Sequence, residues 1–340
     1  TTIHNGIAGS APVRGGSSTA PVFVAVGRLD PVKNQALMLR AFARVLAQSP
    51  DARLRLVGDG PSRASLQALA CELGMDPIDL RVLNHADTNE HVRKPWSSKY
   101  LKDCYAVGAE RFGWRQRDPR PGSMRDGDLL VGWGMASATY PGFRSPGAAK
   151  VRILRDGAVE IVSATQDMGG GTYTTLAQVV AEVTGVPVDR VRTTLGDSTL
   201  PPAPVTGGSM TTASVLPAAK RAAHQALTRL IELAVSSPGS PLAGKSPRDV
   251  QAVAGRVFAT GTSPESGVRY EEVLALADRT SVEGEGSTAP GAEREQYAFQ
   301  SFGAQFVEVK IDPAIARLRV SRVVSVFDVG KIINVKTARS

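Results

Sequence analysis

Short apolar runs and helical stripes alternate at the start of the chain. Residues 21–26 form an apolar run that ends at Gly27, which predicts a buried parallel strand. Over 34–48, Met38, Ala41, Phe42, Val45 and Leu46 fall at i, i+3, i+4, i+7 and i+8, one face of an amphipathic helix. A second strand is predicted over 53–57. The cluster Gly58-Asp59-Gly60-Pro61 breaks it, Pro61 suits the first turn of a further helix, and Leu66, Leu69, Ala70 and Leu73 supply that helix with its stripe. The order βαβα is that of a doubly wound α/β sheet. It stops after two strands, too few for a stable open sheet, so residues 1–74 are expected to be a Rossmann-like half-domain.

After Asp76 the grammar becomes α+β. Helices are predicted over 76–81 and within 96–112, and 118–128 is a Pro/Gly/Arg/Asp-rich loop. Residues 149–164 read as a hairpin, because Asp156-Gly157 is a favoured two-residue turn flanked by β-rich residues. Further strands are expected at 191–195, 304–311 and 318–327, a short helix near 271–277, and longer apolar-faced helices over 174–183 and 212–233. Residues 283–295 show no apolar period and are expected to be mobile.

Each of the two longer helices is entered through glycines: Gly169-Gly170-Gly171-Thr172 before the first, and Thr206-Gly207-Gly208-Ser209 before the second. Glycine lets several backbone N–H groups converge, and the helix start behind them adds partial positive charge, so each loop is a candidate phosphate cradle. One such loop taken alone reads as a tight turn at a helix start rather than as a cradle. Two in one chain point to one large ligand.

Composition narrows the choice. A chain of 340 residues with 42% hydrophobic and 21% charged residues is globular and long enough for two domains. No apolar run reaches the about 18 residues a membrane helix needs, and no signal-peptide order is present, so a cytoplasmic protein without membrane contact is expected. Cys71 and Cys104 have neither disulfide-framework nor zinc spacing, and His4, His85, His91 and His224 are scattered, so no metal held by side chains is expected. The net charge of +8 is dispersed, with few aromatics among the cations, which disfavours a nucleic-acid partner.

Gly27-Arg28-Leu29-Asp30-Pro31-Val32-Lys33-Asn34, with His4-Asn5-Gly6 upstream and Gly58-Asp59-Gly60-Pro61 downstream, resembles the donor-binding domain of GT-B glycosyltransferases over residues 2–74. The resemblance implies that Arg28 and Lys33 contact the diphosphate of a nucleotide-sugar. It ends before the paired glutamates of that family, and the acceptor domain is missing.

From about Met75 to the end the text resembles another family, the molybdenum-binding subunit of xanthine dehydrogenase and aldehyde oxidase-type hydroxylases. The motifs that carry it run in order: Asp76-Pro77-Ile78-Asp79-Leu80-Arg81, Pro95-Trp96-Ser97-Ser98-Lys99, Arg111-Phe112-Gly113-Trp114, Gly132-Trp133-Gly134-Met135-Ala136, Gln166 to Thr174, Gly196-Asp197-Ser198, Gly207 to Ser214 and Asp328-Val329-Gly330. The resemblance implies that Met168, Gly169, Gly170, Gly171 and Thr172, with Gly207, Gly208, Ser209 and Thr211, hold the pterin and phosphates of a molybdopterin cofactor, commonly its cytosine dinucleotide form. Many relatives carry Gln where this chain has Gly170. The implied reaction is hydroxylation of an aldehyde or heteroaromatic substrate, with electrons leaving through iron–sulfur and flavin subunits. The family's general-base glutamate falls past Ser340, and Glu182, Glu232 and Glu308 do not match its motif, so no catalytic residue is assigned and the chain is expected to be inactive as written.

The two texts meet within a predicted helix over 66–75, without a linker, which makes the chain a chimera of residues 1–74 and 75–340. Both parts are then expected to expose apolar surface and to bind a hydrophobic dye. A glycosyltransferase fragment and an inactive binding or scaffold protein are the alternative readings.

Overall fold

The computed structural model describes residues 22–26, 29, 34–49, 52–57, 61–62, 65–66, 69 and 76–339. The chain divides into two compact units, Thr1–Tyr140 with Gln300–Asp328, and Pro141–Phe299 with Val329–Ser340.

In the first unit β1 (Val22–Val26) and β2 (Arg53–Val57) pair in parallel, Val22 opposite Arg53 and Val26 opposite Val57, joined through α1 (Gln35–Gln48). Leu39, Phe42, Leu54, Leu66 and Leu69 form their buried core; of the stripe expected of α1, Phe42 is buried and Met38, Val45 and Leu46 are half-buried against it, whereas Ala41 is exposed and Leu39, outside the stripe, is buried in its place. Asp76 starts α2 (Pro77–Leu83): its carboxylate accepts the Ile78 N–H at 2.7 Å, and Pro77 occupies the first turn. A short hairpin of β3 (Thr88–Asn89) and β4 (Lys94–Pro95) leads to α3 (Leu101–Phe112), which ends at Gly113 in the left-handed region, φ 75°. Then come β5 (Arg125–Asp126), inside the expected loop, and the long β6 (Leu129–Pro141).

The second unit opens with the expected hairpin, β7 (Gly147–Leu154) and β8 (Val159–Ser163), turned by Gly157 at φ 76°. α4 (Thr172–Thr184) carries the chain to β9 (Val191–Leu195), parallel to β8. α5 (Thr211–Ser236) follows, then a small sheet of β10 (Val250–Val253), β11 (Arg256–Ala259) and β12 (Val268–Arg269), and α6 (Tyr270–Leu276). β13 (Ser281–Thr288) pairs antiparallel with β7, giving the order β13-β7-β8-β9. The sheet and helices share one core in which Val151, Ile153, Val159, Ile161, Leu176 and Val180 meet the alanines of α5.

β13 corrects the expectation of a mobile 283–295. Glu283 and Glu285 face outward, where Lys150 reaches both, at 3.3 and 3.2 Å, and Arg152 reaches Glu283 at 2.8 Å. Gly284 and Gly286 face α5. A Cβ on Gly284 would overlap the backbone of Ala222 and Ala226, and one on Gly286 the backbone of Ala218 and Ala222. The strand therefore alternates charged-out and glycine-in, a period invisible when only apolar side chains are counted. The short α7 (Glu293–Gln296) ends this stretch.

The chain then returns to the first unit as β14 (Gln300–Asp312) and β15 (Arg317–Asp328), completing a sheet of order β15-β14-β6-β5. One face of it packs on α3, with Phe112, Trp114, Ala304 and Phe306 buried between. The last described element, α8 (Val335–Arg339), belongs to the second unit. No helix among the described residues is long and apolar enough to cross a membrane.

Candidate functional site

Both glycine loops lie in the second unit, one between β8 and α4, the other between β9 and α5. Gly169 and Gly171 adopt φ 93° and 80°, a backbone that only glycine takes without strain, and Gly171 caps α4. In the second loop Gly208 and Ser209 are both left-handed, at φ 58° and 56°. The N–H of Gly169 donates to Asp167 at 2.8 Å. Those of Gly170, Gly171 and Thr172, and of Gly207, Gly208 and Ser209, have no acceptor among the described residues. They are donors at or before a helix start, where the α-helix leaves its own first N–H groups unpaired.

A clasp joins the loops. The Thr206 N–H donates to Gln166 Oε1 at 3.1 Å, its hydroxyl donates to the Gln166 carbonyl at 3.0 Å, and the Gln166 N–H donates back to Thr206 Oγ1 at 3.2 Å. Gln166 Nε2 donates to the Ala164 carbonyl at 2.8 Å, which fixes the amide orientation. The stretch leading into the second loop is tied to the sheet: Pro201 and Pro202 carbonyls accept from Ala164 and Ala148 at 2.8 and 2.7 Å. The two helix entrances are thus held side by side by residues 40 positions apart.

Space at the loops is uneven. A Cβ added to Gly170 or Gly207 would meet nothing within 4 Å. One added to Gly171 would stand 3.4 Å from the Thr337 methyl, and one added to Gly208 would stand 3.5 Å from the Phe143 ring. The segment of Thr337 is anchored on α4 by Asn334, whose Nδ2 donates to Gln178 Oε1 at 3.1 Å. Met168 is 73% exposed at the tip of the first loop, while Thr172 is buried and Thr211 half-buried. In the neighbouring turn, the Thr199 backbone and hydroxyl both donate to the Asp197 carboxylate and hold it below the ordinary carboxylate range.

Of the residues expected from sequence, Met168 to Gly171 and Gly207 to Ser209 fall in these two loops, and Thr172 and Thr211 are the first residues of the helices behind them. Arg28 and Lys33 lie outside the described residues. Sequence reasoning missed the clasp, the Phe143 ring and the Asn334–Thr337 segment; the Gln-to-Thr pairing has no signature in spacing. Among the described residues, no three His, Cys, Asp or Glu side chains group as metal ligands. Glu182 reaches Lys331 at 3.8 Å. Glu308 sits in the first unit, accepting from Trp133 Nε1 at 2.8 Å and from Arg322 at 3.1 Å. A cleft of about 870 Å³, lined by Asp76, Asp79, Tyr105, Glu110, Trp114 and Arg117, also belongs to the first unit and includes neither loop.

Comparison with known proteins gives two matches along the chain. Residues 107–340 match the model of the molybdopterin cofactor-binding domain, and residues 12–83 that of glycosyl transferases group 1. The aldehyde oxidoreductase molybdenum-binding subunit PaoC of Escherichia coli is 33% identical over 294 residues, which cover 84% of this chain and 38% of PaoC. A GDP-mannose-dependent alpha-(1-6)-phosphatidylinositol monomannoside mannosyltransferase of Mycolicibacterium smegmatis is 39% identical over 62 residues, 18% of this chain and 16% of the relative. Among solved structures, quinoline 2-oxidoreductase from Pseudomonas putida 86 superposes with a TM-score of 0.65 at 21% identity, over 81% of this chain and 37% of its own, a likeness of fold. The chain thus spans well under half the length of the molybdenum-binding proteins it matches.

Proposed function

The chain belongs to the molybdopterin cofactor-binding family through residues 107–340, and from that premise we propose that its clasped glycine loops grip the phosphorylated tail of a molybdopterin cofactor. The observation that carries the reading is the Gln166–Thr206 clasp, which makes one binding surface of two helix entrances. The N–H groups of Gly170, Gly171 and Thr172 would hold one phosphate and those of Gly207, Gly208 and Ser209 a second, with the Ser209 and Thr211 hydroxyls beside them. Two cradles suit a dinucleotide form such as the cytosine dinucleotide, whose pyrophosphate offers two phosphates. Met168, exposed at the loop tip, offers an adaptable apolar contact to the pterin. The open space over Gly170 and Gly207 and the unpaired N–H donors are what a phosphate needs, and the group would bring its metal on the pterin rather than on side chains of this chain.

When bound, the group supplies the hydroxylation of an aldehyde or heteroaromatic carbon. This chain's contribution is to bind and orient the cofactor, inside a cytoplasmic assembly with iron–sulfur and flavin subunits. Residues 75–340 form the partial molybdopterin-binding domain in this reading, and residues 1–74 the partial donor-binding unit. For the latter the match over 12–83 favours a second reading, nucleotide-sugar binding with Arg28 and Lys33 on the diphosphate.

The test is to purify the chain from a host that makes the cofactor, measure molybdenum by plasma mass spectrometry and extract the pterin, and titrate the same preparation with GDP-mannose by calorimetry. Molybdenum and pterin in equal amounts support the cofactor reading. A folded chain carrying neither, under conditions in which PaoC is loaded, overturns it, and heat on GDP-mannose titration supports the second reading.

A further inference from the structure

β13 is the outer strand of the β13-β7-β8-β9 sheet. It pairs with β7 along its whole length without a register shift, from Ser281 opposite Leu154 to Thr288 opposite Gly147. An antiparallel edge strand turns the N–H and C=O groups of every second residue away from its partner. The Thr280 carbonyl accepts the Arg155 N–H at 3.0 Å and so faces β7. By alternation the backbone groups of Ser281, Glu283, Glu285 and Ser287 face the open side, where another strand could add. The usual protections of an edge are missing. β13 contains neither a proline nor a bulge, and Lys150 holds the carboxylates of Glu283 and Glu285 at 3.3 and 3.2 Å, so neither stands as an unopposed repelling charge.

Three side chains of α5 occupy the open side instead. Arg221 donates from Nη1 to the Ser287 carbonyl at 2.8 Å, Gln225 Oε1 accepts the Glu285 N–H at 2.6 Å, and Arg229 donates from Nη1 to the Glu283 carbonyl at 2.8 Å. Helix positions four apart rise about 6 Å, and strand residues two apart about 6.8 Å, so a row at i, i+4 and i+8 keeps step with alternate residues of β13. The adjoining row, Ala218, Ala222 and Ala226, is the one against which Gly284 and Gly286 lie. Those glycines bring the helix close enough for the next row to fold over the edge. Arg221, Gln225 and Arg229 are all exposed, so hydrogen bonding to the strand, and not burial, fixes them there. Lys220, His224 and Thr228, one position round the helix, are exposed as well and make no hydrogen bond to β13 among the described residues.

We propose that the β13 edge is a strand-pairing surface for a second copy of this chain, and that Arg221, Gln225 and Arg229 are a guard that holds it shut. A second copy fits because the outward groups are symmetric about Glu285: in an antiparallel pair of β13 strands, Glu283 of one meets Ser287 of the other at both ends, the self-complementary contact of a two-fold dimer. Where Glu285 meets its own copy, Lys150 of each chain offsets the like charge. The guard takes the same carbonyls and the same N–H that the second strand needs, so guard and copy exclude each other. The proposal is independent of what the glycine loops bind.

The experiment compares the full chain with the guard variant Arg221→Ala/Gln225→Ala/Arg229→Ala and with a control, Lys220→Ala/His224→Ala/Thr228→Ala, which puts as many alanines on the same helix. Sedimentation velocity over a range of concentrations reads association, and hydrogen–deuterium exchange over 281–288 reads the edge. The guard variant is expected to dimerise at a concentration roughly tenfold or more below that of the parent and the control, with slowed exchange over 281–288 in the dimer. Diluted to monomer, its Glu285 amide is expected to exchange roughly tenfold faster than in the parent. Gln225→Leu removes only the acceptor of that amide, and keeps the test open if the triple variant does not fold; it is expected to move both readouts in the same directions, roughly threefold. The proposal is overturned if folded guard variants associate no more readily than the parent, if they associate without slowed exchange over 281–288, or if the control dimerises as readily as the guard variant.

Discussion

Replacing Thr206 with valine removes the clasp hydroxyl and leaves its shape. The hydroxyl donates to the Gln166 carbonyl at 3.0 Å and accepts the Gln166 N–H at 3.2 Å, and the Thr165 and Thr211 hydroxyls each lie 3.4 Å from it, so the two hydrogen bonds to Gln166 disappear together with two longer hydroxyl contacts. Each neutral hydrogen bond is worth about 0.5–1.5 kcal/mol net; Gln166 is exposed, so its freed backbone groups turn to water, whereas the buried Thr165 hydroxyl loses its contact with Thr206 and adds to the cost. The loss is therefore about 1–3 kcal/mol, which corresponds to roughly 5–150-fold weaker retention of any ligand that needs both loops. The core of the unit is untouched, since Val151, Ile153, Leu176 and Leu230 pack away from the hydroxyl in one apolar cluster. The assay is the rate at which pterin fluorescence appears in the filtrate of loaded protein, compared among the parent, Thr206→Val and Thr206→Ser. Serine keeps the hydroxyl and is expected to release at nearly the parental rate. Equal release from the valine variant and the parent, with equal melting temperatures, would refute the idea that the clasp makes one site of two loops.

Three further outcomes follow from the geometry. Gly286→Ala puts a Cβ into the backbone of α5, where no rotamer change gives relief, and is expected to cost about 3 kcal/mol or more, read as a lower urea midpoint; an unchanged midpoint would mean that α5 does not lie against β13. Gly170→Gln meets open space and is expected to leave melting and pterin retention at or above parental level, whereas Gly171→Ala, at φ 80° and against Thr337, is expected to lose about 1–2 kcal/mol of stability. Burial pushes the Glu308 carboxyl up, but hydrogen bonds from Ser321 and Trp133 and the charge of Arg322 outweigh it and hold the group below its ordinary value. A depressed carboxylate contributes stability that is present above its unfolded value, near 4.5, and lost as pH falls through the folded one. Melting of the parent should thus fall more steeply below pH 4.5 than that of Glu308→Gln, and parallel curves would count against the network.

Elements governed by side-chain period or turn chemistry were legible in the sequence. The Asp156-Gly157 hairpin, β9, α4, α5 and the β14–β15 pair all follow from such local signals. Where glycine takes the place of an apolar residue the period disappears. β13 hides its inward face as Gly284 and Gly286, because α5 comes too close for a side chain, and β6 interleaves Gly132 and Gly134 with Trp133 and Met135. At the site, the positive φ of Gly169, Gly171 and Gly208 is a local demand, and glycine answers it visibly. The clasp is a contact between Gln166 and Thr206, two residues unremarkable in their own segments, and only folding brings them together. The approach of Thr337 to Gly171 is illegible for the same reason.

The central claim, that both loops grip one phosphorylated ligand, is tested most directly by placing a carboxylate in each loop separately. Gly170→Asp and Gly207→Asp both enter open space, and neither glycine has positive φ, so each adds a negative charge with little steric change. We predict that either substitution alone lowers the pterin retained per chain at least tenfold, with unchanged far-ultraviolet circular dichroism. Retention that survives one of the two substitutions would contradict the account.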